Sequence, residues 1–216
     1  MHLSDESSGP PSPSVVQVLD QARAFGFLGP GPVEDHLEHS QAFARLIEER
    51  TDLPSAANCL DLGSGGGVPG LVLADRWATT TWTFLDAHQR RMSVLAEAVA
   101  SLGWQSAKLF VGRAEEYGRD DRLRGQYDLV VARGFSGPAV TAECSAPLLR
   151  VGGWLAVSEP PEDRGRWDDD GLARLGLSGH RCEAGGRHFF LAQQVSLCPS
   201  TFPRRVGIPG KRPLFE

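Results

Sequence analysis

The chain has 216 residues, 41% apolar and 23% charged, with a formal net charge of −5 at pH 7. Such a length and composition suit one packed α/β domain with a short extension. With no secretory leader and no apolar run of membrane-spanning length, a cytoplasmic monomer without membrane contact is expected.

The four cysteines, Cys59, Cys144, Cys182 and Cys198, sit at no metal-ligand or redox spacing, so free thiols and no metal site are expected. An acidic protein attracts nucleic acid only through a local basic patch. Lys108 and Lys211 are the two lysines, and all other basic side chains are arginine.

Residues 1–14, rich in Ser and Pro, are predicted to be disordered. Two helices are expected next, over 15–25 and 33–50, the second carrying Leu37, Phe43 and Ile47 near one face. The segment GPGP (29–32) separates them, because it cannot be helical. Together they form a helical extension over residues 15–57. From Asn58 to about residue 200, short apolar runs alternate with helix-length stretches, the pattern of βαβ units on a parallel sheet. Strands are predicted near 58–62, 81–86, 107–111, 127–132 and 153–158, and helices over 69–77, 88–102, 138–150 and 168–175. A last pair, 179–184 and 187–196, joined by Gly185-Gly186, reads as a hairpin. The predicted class is α/β, a Rossmann-like, mostly parallel sheet closed by a late antiparallel strand. Residues 201–216 form a basic, Pro/Gly-rich tail.

The strongest signal is a strand running into a glycine loop, LDLGSGGGVPGLVLA (60–74). Glycine lets the backbone turn with positive φ and lets a ligand lie against it. The spacing Gly65-x-Gly67-x-x-Gly70 also fits a dinucleotide site. Asp61 is expected to end its strand with the carboxylate facing the crevice, where it would repel a pyrophosphate and attract a sulfonium or an ammonium group. The competing reading is that Asp61 caps the next helix. Asp86 ends the second strand a little over twenty residues past the loop, where an acid can accept both ribose hydroxyls. Gly112-Arg113-Ala114-Glu115-Glu116 follows the third strand.

These residues resemble the family called RsmG or glucose-inhibited division protein B, whose members methylate N7 of a guanine in small-subunit ribosomal RNA. The similar segments are LDLGSGGGVPGLVLA (60–74), FLDAHQRRMSVL (84–95), GRAEE (112–116), YDLVVARGF (127–135), APLLRVGG (146–153) and FPRRVGIPGKRPL (202–214). The resemblance implies a class I fold with S-adenosylmethionine as cofactor and 16S ribosomal RNA, or the small subunit, as partner. It implies that Gly63, Gly65 and Gly67 hold the methionine part of the cofactor. Asp86 would hold the ribose, and Ala114 and Glu115 would flank the adenine. Arg133 matches the arginine of the family's Ala-Arg pair, a catalytic or substrate-orienting position. His36 and Ser40 align with a histidine and a serine ahead of the cofactor loop, which makes His36 a candidate substrate contact.

The chain departs from the family pattern at three places. No Asn-Leu-Thr segment is found in the N-terminal part, Asp35 stands where a basic residue usually precedes the histidine, and Ser158-Glu159-Pro160-Pro161 replaces a lysine-glycine pair after the fifth strand.

Chemistry narrows the target. Guanine N7 has a free lone pair, so no general base is needed, and none is visible after the fourth strand. The Asn/Asp-Pro-Pro-Tyr/Phe turn that serves exocyclic amines is missing, and Cys198-Pro199 reverses the Pro-Cys order used on pyrimidine carbon 5. Arg133 would orient guanine through O6 or grip a phosphate, unless it pairs with Asp128 or Glu159. Arg204, Arg205, Lys211 and Arg212 place four cations in nine residues, a candidate phosphate-binding surface that folds back toward the cofactor. A small-molecule methyltransferase or a non-catalytic paralogue on the same fold stays open at this point.

Overall fold

The computed structural model describes residues 9–162 and 165–215. Helix α1 (Pro13–Ala24) starts inside the stretch predicted to be disordered. Ser12 is the reason. Its Oγ accepts from the Val15 amide as an N-cap, and its own N–H and Oγ donate to Asp75 at 2.7 and 2.8 Å. The first eight residues of that predicted segment lie outside the described ones. Helix α2 (Val33–Arg50) follows the GPGP break.

The remaining elements run in chain order: β1 (Asn58–Leu62), α3 (Gly70–Arg76), β2 (Thr81–Asp86), α4 (Gln89–Ser101), β3 (Lys108–Val111), α5 (Ala114–Tyr117) and β4 (Tyr127–Ala132). Next come α6 (Pro138–Ser145), β5 (Leu149–Glu159), α7 (Asp169–Arg174), β6 (Leu177–Ala184), β7 (Arg187–Gln194) and α8 (Ile208–Lys211). The helix predicted over 138–150 stops at Ser145. Pro147 removes an amide donor and ends the helix, and Leu149 pairs with Tyr127 to open an 11-residue strand.

The described strands form a seven-stranded sheet ordered β3-β2-β1-β4-β5-β7-β6. Strands β1 to β5 are parallel, and β7 runs antiparallel to both β5 and β6. The two faces bury separate cores, as the period of two in strands requires. Under α1 to α4 lie Leu19, Phe43, Ile47, Leu71, Phe84, Leu95, Val131 and Phe189. On the opposite face lie Leu60, Leu62, Leu85, Val130, Leu155 and Phe190, covered by α6 and the tail. The N-terminal extension is therefore one wall of the first core. No helix among the described residues is long and apolar enough to cross a membrane.

Phe43 of α2 meets Phe189 of β7 edge to face, with centroids 4.7 Å apart, and both rings are fully buried. Phe189→Ala should cost about 3–5 kcal/mol of stability, read as a lower midpoint in urea with an unchanged slope.

Candidate functional site

Strand order reverses between β1 and β4, and a crevice outside the carboxyl ends of the strands is expected there. Gly63 leaves β1 with φ 77°, and a Cβ at that position would lie 2.7 Å from Cδ2 of Phe135, which follows β4. A cleft of about 300 Å³ opens at this point. Gly63, Asp86, Ala114 and Glu115, all chosen from sequence, line it, together with Gly112 and Phe135, which the sequence also pointed to, and Val140 and Cys144, which it did not. Burial pushes the Cys144 thiol well up from its ordinary range, which disfavours a thiolate there.

Asp86 accepts from the Gly65 amide (2.9 Å) and the His88 amide (2.8 Å), one on each carboxylate oxygen. That fixes its rotamer at the cleft edge and leaves lone pairs for a diol. The donor set fits the nucleoside of S-adenosylmethionine: a carboxylate for two hydroxyls, a glycine at the closest approach, and the Ala114–Glu115 turn beside an apolar wall. Gly65 is tied to the cleft edge through Asp86, and a Cβ at Gly67 would collide with Leu71 and crowd Leu95.

Asp61 corrects the sequence reading. It is 1% exposed, does not line the cleft, and accepts from the Gly70 amide at 2.9 Å through Oδ2. Gly70 is the first residue of α3, so the capping alternative describes the contact. Leu60 and Leu62 face one core, so Asp61 must point to the other, under α3. A Cβ at Gly70 would collide with this carboxylate and with Phe84, which is why the loop's last glycine is a glycine. The argument against a dinucleotide from the charge of Asp61 therefore falls. Burial, helped by Asp86 and opposed by the Gly70 amide and Arg133, raises its pKa to about 7.

Arg133 leaves β4 and pairs with neither acid suggested from sequence. Asp128 holds Arg150, and Glu159 holds Arg166 and Arg181. Instead Arg133 Nη2 donates to His36 Nδ1 at 2.8 Å. Arginine has no acceptor, so this nitrogen of His36 accepts and Nε2–H donates to the Gly29 carbonyl (3.2 Å). His36 is 2% exposed, which corrects its expected role: it holds Arg133 instead of touching substrate. Burial and then Arg133 keep its pKa below the ordinary histidine range, against the Gly29 bond and Asp35. Ser40 donates back to the His36 carbonyl within the helix.

The tail does fold back to the cofactor side, but its first cation is not free. Arg204 embraces Glu143, a fully buried carboxylate of α6, through Nε, Nη2 and its own amide at 2.6–2.9 Å. A phosphate contact for Arg204 is thereby corrected to an internal ion pair. Arg124 donates to the carbonyls of Gly118, Cys198 and Phe202, and Arg119 to that of Pro203. Glu115 accepts from the Gly207 amide at 3.0 Å and from Arg113 at 3.1 Å. Burial works against its charge, and the amide bonds and Arg113 outweigh it, lowering its pKa. Arg205, Lys211 and Arg212 remain exposed beyond this anchor.

Sheet order, glycine loop and cleft define a class I S-adenosylmethionine-dependent methyltransferase fold. Solved structures agree on the fold: a S-adenosylmethionine-dependent methyltransferase from Aquifex aeolicus (TM-score 0.55, 13% identity, 81% of this chain and 97% of that one). Another is a putative S-adenosylmethionine-dependent methyltransferase from Methanococcus maripaludis (TM-score 0.56, 14% identity, 84% and 92%). Residues 32–161 match the GidB family model, described as rRNA small subunit methyltransferase G, and the chain belongs to this family. Relatives named ribosomal RNA small subunit methyltransferase G include one from Moorella thermoacetica, 34% identical over 76% of this chain and 72% of its own length. A second, from Parasynechococcus marenigrum, is 34% identical over 81% and 76%.

If Asp86 accepts from the ribose hydroxyls, Asp86→Ala should weaken S-adenosylhomocysteine binding by at least ~1.5 kcal/mol. Unchanged affinity by calorimetry would remove Asp86 from the ribose site. Asp61 makes a separate, pH-dependent contribution. Its pKa rises from 3.8 to about 7 on folding, so the folded state keeps a proton that the unfolded chain loses. That stability is fully present below about pH 4 and is lost as pH rises through about 7. Asp61→Asn keeps an acceptor for Gly70 and should flatten this loss in urea melts at pH 5 and 7.5.

Proposed function

We propose that the protein transfers a methyl group from S-adenosylmethionine to N7 of a guanine in 16S ribosomal RNA, acting in the cytoplasm as a monomer. The observation that carries this reading is the link through Glu115. One carboxylate lines the cofactor cleft and at the same time anchors the turn that exposes Arg205, Lys211 and Arg212. A cationic surface fastened to the rim of a nucleoside cleft is what an acidic protein needs to bring an RNA backbone to a methyl donor. The relatives named ribosomal RNA small subunit methyltransferase G support small-subunit ribosomal RNA as the substrate.

When bound, the cofactor supplies an electrophilic methyl group on a sulfonium. The chain's residues then have three tasks: to align, to exclude water and to orient the acceptor. Asp86 would hold the ribose, and Ala114 and Glu115 would bound the adenine. Gly63 and Phe135 close the switch point, where the acceptor base would approach. N7 attacks with its own lone pair, so no side chain has to remove a proton. Arg133, steadied by His36, orients the nucleotide without covering N7.

The test follows the methyl group. Labelled S-adenosylmethionine and small subunits from a strain lacking the gene should yield 7-methylguanine in 16S RNA. Label in no RNA, with the cofactor still bound, would move the substrate to small molecules. Replacing Arg205, Lys211 and Arg212 together by Ser should flatten the salt dependence of RNA binding by about 2 units of log–log slope, with cofactor affinity unchanged. An unaltered slope takes the tail out of the RNA surface.

A further inference from the structure

A second group of side chains gathers outside the cofactor cleft, on the α2 face of the sheet at its carboxyl edge. Alternation along the strands puts them there. Val131, Ala156 and Phe189 all belong to the core beneath α2. Arg133, Ser158 and Arg187, each two residues away, therefore face the same side. Register brings the strands together, with Ser158 opposite Phe189 and Glu159 opposite His188. His39 of α2 shares a hydrogen bond with Ser158 Oγ at 2.9 Å, and His36 takes one from Arg133.

Arg133 has one nitrogen left over. Its Nη1 is buried and has no hydrogen-bond partner. An unpaired buried guanidinium nitrogen is costly and calls for an explanation in a ligand. Charge sharpens the point. Burial and then the nearby Arg187 push the Arg133 pKa down, with Asp61 opposing. His39 is no anion and no counter-charge; burial, Arg133, Arg187 and His36 push its pKa down to about 4. Of the neighbouring acids, Asp61 accepts from Gly70 through Oδ2 only, and its Oδ1, like Arg133 Nη1, is buried without a hydrogen-bond partner; Glu159 holds Arg166 and Arg181. Asp35 acts on His36. Glu38 reaches Arg187 at 3.6 Å with its own side chain 69% exposed, an ion pair that water and salt weaken and that an incoming anion displaces easily.

We propose that Arg133 and Arg187, with Ser158, form a subsite for one phosphate group of the substrate, next to the nucleotide that is methylated. Two guanidinium groups on one face of the sheet edge, of which Arg187 meets only the exposed Glu38 among the described carboxylates, match an oxyanion that offers several acceptors. The neutral edge of guanine would leave one charge uncompensated, and its N7 must stay free. His36 and His39 are positioning residues that hold the arginine and the serine from α2. The proposal rests on the RNA reading for the source of the phosphate and not for the existence of the subsite.

The test uses the full chain with S-adenosylhomocysteine and inorganic phosphate, titrated at constant ionic strength against chloride. Arginine Nε–Hε signals are followed by NMR and assigned with Arg133→Gln and Arg187→Gln. The Arg133 and Arg187 signals should shift together and saturate, and Arg187→Gln should weaken the Arg133 response at least tenfold. Arg187 is half-buried at the rim, so this variant keeps the experiment readable if Arg133→Gln fails to fold. Signals that ignore phosphate, or an Arg133 response that survives Arg187→Gln intact, would overturn the subsite. A second arm measures RNA affinity across a salt series. A fall of about one unit in slope for Arg187→Gln identifies an RNA phosphate. A saturable phosphate response with an unchanged RNA slope upholds the subsite and assigns it to a free phosphate-bearing acceptor, against the RNA reading.

Discussion

Two carboxylates at the ends of adjacent strands hold the glycine loop by its amides, and the rest of the site is arranged around that hold. Asp86 takes the Gly65 amide at the loop's start, and Asp61 takes the Gly70 amide where the loop becomes α3. A glycine-rich segment loses more conformational entropy on ordering than any other kind, so its shape must be imposed by fixed partners. Asp86 imposes it from the rim and stays available to a ligand. Asp61 does so from inside the core, at the cost of a strongly perturbed titration. The α1–α2 extension completes the enclosure, since Phe27 and Leu28 lie directly against Gly66.

The opposite wall depends on a different device. The tail lays Phe202, Leu214 and Phe215 on the second core, and arginines fasten it as well: Arg124 and Arg119 collect backbone carbonyls, and Arg204 closes on Glu143. A buried carboxylate with three donors is stable only as a set, so α6 and the tail are ordered together. That division explains the arginine-rich composition better than nucleic-acid binding alone does. Several arginines of this acidic chain serve its own backbone.

Much of the fold was legible because it rests on local rules. Alternating strand and helix periods, the GPGP break and the Gly185-Gly186 turn each act within a few residues. Asp86 and Gly63 were legible as parts of a motif whose spacing is itself geometric. What stayed hidden was direction and long-range pairing. Asp61 was placed in the crevice, although the apolar neighbours Leu60 and Leu62 imply that it faces the other way. Arg204 looked like its three cationic neighbours in the tail, and nothing local marks Glu143, 61 residues earlier, as its partner. His36 was found by resemblance, but its burial against Arg133 comes from the packing of α2 on the sheet. Arg187 gave no signal except its parity with Phe189, which carries meaning only once the strand and its buried face are known.

Glu115 has a consequence for genetics. The residue lines the cleft proposed for the cofactor, and its carboxylate also anchors the cationic turn through Gly207. An allele at position 115 is therefore pleiotropic by construction. Complementation scored by loss of methylated RNA would merge a defect in cofactor uptake with one in substrate capture. Alleles at Asp86 and at Arg205 should fall into separate phenotypic groups, and only a set that includes both can show which share of the Glu115 phenotype belongs to each.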